Sequence, residues 1–183
     1  IISVQVGLLT TCEVGSTLCG LVAATNIGSK LSGWSCVAGG IPSTSICGGH
    51  WKGVQCEDKS VVGLSLSSLS ILGTLPSTLG TLTSLTLLDV SYNKLYSTIP
   101  TSIGKLTGLT TLSLQYNILN GTLPTSLCDL VFLSELYLNN NKFSQMVDDC
   151  FTSVNRLKVL SLQSNQFQST IPSGFSKLSN LLS

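Results

Sequence analysis

Large apolar residues recur every 24 positions from Val61 to the end of the chain, without insertion or deletion. Within each repeat, the segment Leu-x-x-Leu-x-Leu alternates apolar and polar residues, and this period of two is typical of a strand with one buried face. A repeat of this length cannot bury its apolar side alone, so successive repeats stack on one another. The pattern therefore predicts one short strand per repeat and a single parallel sheet. The five repeats begin at Val61, Leu85, Leu109, Leu133 and Leu157, and Leu181 begins a sixth.

An asparagine follows the strand in four of the repeats. Its side-chain amide offers two donors and an acceptor to backbone groups that a turn leaves unpaired, so we interpret these residues as structural. They are Asn93, Asn117, Asn141 and Asn165.

The second half of each repeat predicts a short extended piece that ends at Ile-Pro or Leu-Pro, followed by a helical or 3₁₀ turn. Apolar rows continue through this turn, at Leu79, Ile103, Leu127, Phe151 and Phe175. Asp148 replaces the proline in the fourth repeat, where we expect a bulge.

This unit resembles the 24-residue, plant-type leucine-rich repeat. The resemblance implies an α/β solenoid, a right-handed superhelix with a parallel sheet on its concave face and short 3₁₀ or helical turns on its convex face. It divides the chain into an amino-terminal arm and cap, residues 1–60, and the repeats, residues 61–183, with no carboxy-terminal cap in the sequence. Proteins of this class commonly serve as recognition ectodomains or as inhibitors of cell-wall enzymes.

The segment before the repeats predicts a short helix over residues 13–25 and then a cap. Trp51, Gly53, Val54 and Cys56 match the Trp-x-Gly-Val-x-Cys segment of plant-type caps, with Trp34 as a second cap tryptophan. The resemblance implies a Cys47–Cys56 disulfide.

Five other cysteines remain to be assigned. Cys36 reaches back to Cys12 or Cys19, and the sequence does not choose between them. Cys128 and Cys150 lie on adjacent repeats, near the distance limit for a bridge. One thiol is then left over, either as a buried bystander or as a link to another chain.

The opening apolar run, residues 1–9, is too short to span a bilayer, so we predict no transmembrane segment. We interpret it as an arm that packs on the first repeat; a signal remnant or an arm that docks on another molecule are the alternatives.

Composition indicates an extracellular protein, secreted or at the cell surface. Seven cysteines indicate an oxidising compartment. Charged residues make up 9% and the net charge is +1, which argues against nucleic-acid binding. The mean hydropathy of +0.43 is high for a free-standing protein. We therefore expect sugars or partner proteins to cover part of its surface. Asn120-Gly121-Thr122 is an acceptor for N-glycosylation.

No residues form a recognisable catalytic or metal-binding motif, and we predict neither enzymatic activity nor a cofactor. His50, Cys47 and Cys56 are three candidate metal ligands, whereas structural zinc takes four. The resemblance also places both cysteines in a disulfide. Asp148 and Asp149 are interpreted as a solvated turn.

The candidate binding surface is the outward side of the parallel sheet, where tyrosines stand among amides and hydroxyls. The predicted contact residues are Asp89, Tyr92, Gln115, Tyr116, Glu135, Tyr137, Asn139 and Gln163. We expect a protein partner first and a glycan second. The alternatives are a structural subunit that self-associates into an extracellular filament or coat, and an inhibitor of a secreted hydrolase.

Overall fold

The computed structural model describes most of the repeat region and part of the cap. The described ranges are 11–31, 36–37, 41–42, 46–49, 51–145, 153–168 and 173–182. The apolar run 1–9 and Trp34, His50, Asp148, Asp149, Cys150 and Phe151 lie outside them.

A two-stranded antiparallel sheet in the cap consists of β1 (Cys36–Val37) and β2 (Ile41–Pro42). Among the described residues, the main sheet has six strands, of which five are parallel and come one from each repeat, as the period predicts. They are β4 (Ser60–Ser65), β6 (Leu87–Asp89), β8 (Thr111–Ser113), β10 (Glu135–Tyr137) and β12 (Val159–Ser161). Strand β3 (Val54–Glu57) pairs antiparallel with β4 and forms the sixth. The register is an offset of 24: Leu64, Leu88, Leu112, Leu136 and Leu160 lie side by side.

A second set of parallel strands runs alongside, built from the extended piece after the asparagine. Its members are β5 (Leu72–Gly73), β7 (Lys94–Ser97), β9 (Ile118–Thr122) and β11 (Lys142–Gln145). Here the partners are 22 positions apart, as with Tyr96 and Ile118. In the fourth repeat the pairing shifts between Phe143 and Gln145, which places an irregularity in the repeat where we expected a bulge.

Short 3₁₀ turns complete the repeats. Their bounds are Ser77–Thr81, Thr101–Lys105, Thr125–Asp129 and Ser173–Lys177. A proline in extended conformation precedes each of the first three turns, with φ of −74°, −67° and −71°. Because proline fixes φ and has no N–H, it ends strand pairing and directs the chain into the turn.

The core is one continuous column of leucine with isoleucine, valine and phenylalanine between the main sheet and the turns. The asparagines are structural, as predicted, and each bonds back to the preceding repeat. Asn93 Oδ1 accepts hydrogen bonds from the backbone N–H of Leu69 (3.1 Å) and Ile71 (2.9 Å), and its Nδ2 donates to Leu66 O (2.8 Å). Asn117, Asn141 and Asn165 repeat this arrangement one repeat further each time.

The cap covers the first repeat. Helix α1 (Thr11–Ala24) agrees with the predicted helix to within two residues and buries Leu18 and Leu21. The hydroxyls of Thr17 and Thr81 are hydrogen-bonded to each other, which ties the helix to the first 3₁₀ turn. Trp51 is buried and belongs to the hydrophobic core.

Two disulfides close the cap. Cys47 pairs with Cys56, as the resemblance implied. Cys36 pairs with Cys19, at a Cα–Cα distance of 5.8 Å, and not with Cys12. Cys128 is also disulfide-bonded, and Cys150, its predicted partner, lies outside the described residues.

Candidate binding face

The concave face is the side of the main sheet that points away from the leucine column. Alternation along β6 and β10 buries the central leucine and leaves both flanking residues half-buried on this face. Asp89, Glu135 and Tyr137 reach the face from the strands themselves. The other predicted residues come from the turn that follows each strand.

Tyr92 and Tyr116 form a stacked pair on this face. Their ring centroids are 4.3 Å apart and the ring planes differ by 12°. The two side chains remain 52% and 44% exposed, so the stack presents its edges and outer surfaces to solvent. Each backbone N–H donates to the next repeat, Tyr92 to Gln115 O and Tyr116 to Asn139 O, both at 3.0 Å. The pair is therefore a rigid aromatic platform.

Both tyrosines belong to a row with a left-handed backbone. The residue at this position has φ between +53° and +60° in every repeat where it is described: Ser68, which precedes Leu69, and Tyr92, Tyr116, Asn140 and Ser164, which precede the asparagine. A bulky side chain is uncommon in this conformation, whereas asparagine tolerates it well. The turn after the strand thus imposes the same strained geometry whichever residue occupies it.

The acidic residues of the face are engaged within the chain. Asp89 Oδ1 accepts hydrogen bonds from Ser91 N (3.0 Å) and Ser91 Oγ (2.7 Å). The Tyr137 hydroxyl donates to Glu135 Oε2 at 3.5 Å. Burial raises the pKa of Tyr137 above its ordinary value, and the neighbouring Glu135 carboxylate adds to this shift. Tyr137 therefore stays a neutral donor at physiological pH.

The three predicted amide residues differ in what they offer to a partner. Asn139 is only 6% exposed, which corrects the expectation that it stands open on the face. Gln115 is half-buried, and its Oε1 is a buried acceptor without a hydrogen-bond partner among the described residues. Gln163 is exposed, and its Oε1 accepts from Ser161 Oγ at 2.9 Å. Neighbouring side chains cover one of the three amides, which strand alternation alone does not reveal.

The structure brings some of the predicted residues together and separates others. Tyr92 lies beside Tyr116, and Tyr137 lies beside Glu135. Tyr137 does not extend the aromatic stack, because its neighbours in the sheet are Ser113 and Ser161, and Asn140 takes the next place in the tyrosine row. The platform thus consists of two rings.

Sequence reasoning missed an exposed apolar patch on the second set of strands. Leu72, Tyr96 and Ile118 are exposed there, and Tyr96 lies next to Ile118. The acceptor Asn120 is exposed in the adjoining part of β9, beside Lys142. A comparison of residues 22 positions apart, such as Tyr96 and Ile118, would have revealed this patch in the sequence. The comparison at 24 positions does not bring these residues together.

The described ranges contain neither a candidate membrane-spanning helix nor a candidate metal-binding cluster. None of the helices described there has both the length and the hydropathy to cross a membrane. Over the same ranges, no three His, Cys, Asp or Glu side chains are grouped so that they could hold a metal ion. The face offers aromatic, amide, hydroxyl and carboxylate groups for contact.

Comparison with known sequences finds the same repeat. Models described as leucine rich repeat match residues 84–106, 108–130 and 131–183. The Arabidopsis thaliana protein STRUBBELIG-RECEPTOR FAMILY 2 is 42% identical over 66 residues, which are 36% of this chain and 8% of that protein. The chain therefore corresponds to a small part of this relative.

Solved structures match over most of the chain. A chain in the crystal structure of the BIR3–SERK2 complex from Arabidopsis thaliana is 35% identical, with a TM-score of 0.75 and coverage of 87% of this chain and 86% of that one. The BIR2 ectodomain from Arabidopsis thaliana is 30% identical, with a TM-score of 0.77 and coverage of 90% and 85%. Over these coverages, the fold of this chain agrees with that of both solved chains.

Proposed function

Because this chain belongs to the leucine-rich repeat proteins with plant-type repeats and an amino-terminal cysteine cap, we propose that it is a non-enzymatic recognition module that binds a protein partner through its concave face. The disulfides and the similarity to receptor ectodomains fit an extracellular location. The location that we propose is secreted or at the cell surface. We propose a glycan as the second kind of ligand.

The observation that carries this proposal is the Tyr92–Tyr116 stack. Two large aromatic side chains lie open on a face that is otherwise built from half-buried hydroxyl, amide and carboxylate groups. Tyrosine is enriched among the residues that dominate binding energy, because a rigid ring gives a large contact area at a small entropic cost. The stack is already ordered before a partner arrives, which lowers the cost of binding further.

The nature of the partner is proposed from a structural neighbour. The BIR3–SERK2 complex joins two proteins, one of which matches this chain over 86% of its length. We propose that this chain likewise pairs with another ectodomain of the leucine-rich repeat class. The low charge of the chain suits such a partner better than a polyanion.

Substitution of both tyrosines tests the proposal. Purified SERK2 ectodomain and similar ectodomains are passed over the immobilised protein, and Kd is measured for each that binds. The double variant Tyr92→Ala, Tyr116→Ala should raise Kd by about 30-fold or more, the range of a binding hot spot. The matched control is Tyr96→Ala, which removes an equally exposed tyrosine from the second set of strands. Equal effects of the two variants would reject the concave face.

Self-assembly into a filament is the second candidate, favoured by the exposed patch of Leu72, Tyr96 and Ile118. Light scattering combined with negative-stain imaging separates the two. The recognition proposal expects monomers, and filaments that disappear in the Tyr96→Ala variant would favour the structural role.

We also propose that Asn120 carries an N-linked glycan. It is exposed at the edge of the apolar patch, and a glycan there would cover part of the patch. Intact mass of protein from a eukaryotic host should fall after glycosidase treatment, and Asn120→Gln should remove the difference. A mass equal to the bare polypeptide would contradict the proposal.

A further inference from the structure

A cavity of about 320 Å³ lies at the edge of the main sheet where the strands of the fourth and fifth repeats begin. We call it the rim pocket, and the described residues that line it are Phe132, Ser134, Arg156, Lys158 and Asn180. Ser134 and Lys158 come directly before β10 and β12, so the pocket lies beside the concave face. Two of these five side chains are cationic and none is acidic.

Earlier repeats show what the scaffold itself requires at these positions. The row of Phe132 and Arg156 holds Ser84 and Gly108 at the ends of the first and second repeats. The row of Ser134 and Lys158 holds Thr86 and Thr110, whose hydroxyls donate to backbone carbonyls of the preceding repeat at 3.0 and 2.9 Å. Small and hydroxyl residues therefore satisfy the fold, and the ring and the two cations are additions at this site.

The Arg156 side chain is held in place by an aromatic ring. Its Cζ lies 4.5 Å from the centroid of the Phe132 ring. A guanidinium that stacks on a ring keeps its N–H groups free in the plane, where they match the two oxygens of an oxyanion. An exposed phenylalanine contributes nothing to the core, but here it orients a cation.

The other parts of the pocket are anchored through the backbone. Lys158 N donates to Ser134 O, and Leu182 N donates to Lys158 O, both at 2.8 Å. Asn180 Nδ2 donates to Asn155 O at 2.7 Å. The pocket wall is thus fixed across three repeats, while the charged ends of Arg156 and Lys158 remain exposed.

We propose that the rim pocket binds the carboxylate of an acidic side chain from a protein partner. Arg156 and Lys158 supply the two positive charges, Ser134 a hydroxyl donor, and the Phe132 ring a surface for the methylene groups of glutamate. The choice of a protein as the source of the carboxylate rests on the proposed function, whereas the charge of the ligand rests on the pocket alone.

A polyanion fits this surface less well than a single carboxylate. A sulfated glycan or a nucleic acid needs a row of cations along its backbone. Neither row of equivalent positions supplies another cation over the residues named here. The other members of the Arg156 row are Ser84, Gly108, Phe132 and Asn180, and those of the Lys158 row are Thr86, Thr110, Ser134 and Leu182. The positive charge is confined to one pocket that is large enough for a side chain.

The test uses the ¹⁵N-labelled protein and the dipeptide acetyl-Glu-Glu-amide, with acetyl-Gln-Gln-amide as the neutral counterpart. We expect amide shifts at Ser134, Arg156, Lys158 and Asn180, and a Kd for the acidic peptide at least about 10-fold below that for the neutral one. Arg156→Gln and Lys158→Gln should each weaken binding about 5-fold or more. Phe132→Ala should weaken it less, since it removes the support of Arg156 and the apolar surface but neither positive charge.

The control variant is Lys105→Gln, which removes an exposed cation from a convex turn and should leave binding unchanged. Equal binding of the two dipeptides, shifts confined to other residues, or full binding by the Arg156→Gln, Lys158→Gln double variant would each overturn the inference. So would a sulfated oligosaccharide that shifts these residues while the acidic dipeptide does not.

The concave-face variant separates this inference from the proposed function. Tyr92→Ala, Tyr116→Ala should bind acetyl-Glu-Glu-amide as the unmodified chain does, because neither tyrosine lines the pocket. Loss of partner binding in that variant, together with no dipeptide binding at the rim in the unmodified chain, would reject the rim pocket alone. The reverse pattern would reject the concave face alone.

Discussion

Each repeated asparagine supports the backbone of two repeats. Asn117 Oδ1 accepts a hydrogen bond from Leu95 N at 2.9 Å, and its Nδ2 donates to Val90 O and Leu114 O at 3.0 and 3.1 Å. Both carbonyls also receive a hydrogen bond from the asparagine of a neighbouring repeat. Loss of one asparagine therefore leaves mainly the Leu95 N–H without a partner.

From this we predict that Asn117→Leu lowers the free energy of unfolding by about 3 kcal/mol, which is the cost of an orphaned buried donor plus two weakened hydrogen bonds. Urea unfolding followed by circular dichroism measures the change. Asn120→Leu, in protein without a glycan, is the control, because Asn120 is exposed and its substitution should cost less than about 0.5 kcal/mol. Equal effects would show that the asparagine row is not structural.

The left-handed row offers a second prediction at this scale. Ser164 is exposed and has φ of +56°, and in the same row Asn140 already occupies this conformation. Because asparagine tolerates it better than serine, Ser164→Asn should raise the free energy of unfolding by about 0.5–1 kcal/mol. Ser84→Asn, outside that row, should have no such effect. A melting temperature that falls in the first variant would contradict the prediction.

Residue roles on the concave face were only partly predictable. The tyrosine pair follows from the 24-residue spacing of Tyr92 and Tyr116. The burial of Asn139 and the bond from Ser91 to Asp89 do not follow, because both depend on which neighbours cover an outward-pointing side chain. The binding roles themselves stay predictions.

At the scale of the element, the period predicted the main sheet strand by strand. Alternation fixes which residues of β8 or β10 face the core, and the constant spacing fixes the register. The second set of strands was predicted only as an extended piece. Its pairing depends on how far the chain advances around the turn after Asn93 or Asn117, and that advance shifts the register from 24 to 22.

The 3₁₀ turns stack closely, and a glycine row makes this possible. A Cβ on Gly104 would lie 2.6 Å from Ser126 O in the next turn, and a Cβ on Gly80 would lie 2.2 Å from Ser102 O. Neither neighbour is a flexible side chain that could move away. In the third repeat, Cys128 takes the position of this row and is disulfide-bonded.

We therefore predict that Gly104→Ala destabilises the protein by about 1–3 kcal/mol, the usual cost of overpacking. Gly108→Ala is a matched control four residues away, since its Cβ would meet nothing nearer than Leu85 O at 3.8 Å. Thermal unfolding should separate the two variants. If Gly108→Ala were as harmful as Gly104→Ala, close packing between the turns would not be the cause.

At the scale of the molecule, stability depends on contacts between neighbouring repeats, because each repeat touches mainly the repeats on either side. The cap therefore has a defined role, which is to cover the apolar side of the first repeat. An isolated bridge joins Thr25 to Gly73, and Asn26 N donates to Leu72 O at 3.0 Å. Strands β3 and β4 pair as a hairpin that spans the predicted boundary between cap and repeats at residue 60. The division of the chain into residues 1–60 and 61–183 stays a prediction.

This one-dimensional organisation predicts how the protein responds to loss of a cap disulfide. The bond between Cys19 and Cys36 closes a loop over a separation of 17 residues, for which the chain-entropy relation gives about 3 kcal/mol. In the Cys19→Ser, Cys36→Ser variant, amide hydrogen exchange should accelerate most in β4 and β5 and progressively less through β8 to β10, since coupling passes only from neighbour to neighbour. The reference variant is Cys47→Ser, Cys56→Ser, whose separation of 9 gives about 2.5 kcal/mol and which should show the same gradient with a smaller amplitude. Acceleration of equal size in every strand would instead indicate that the repeats unfold as one cooperative unit.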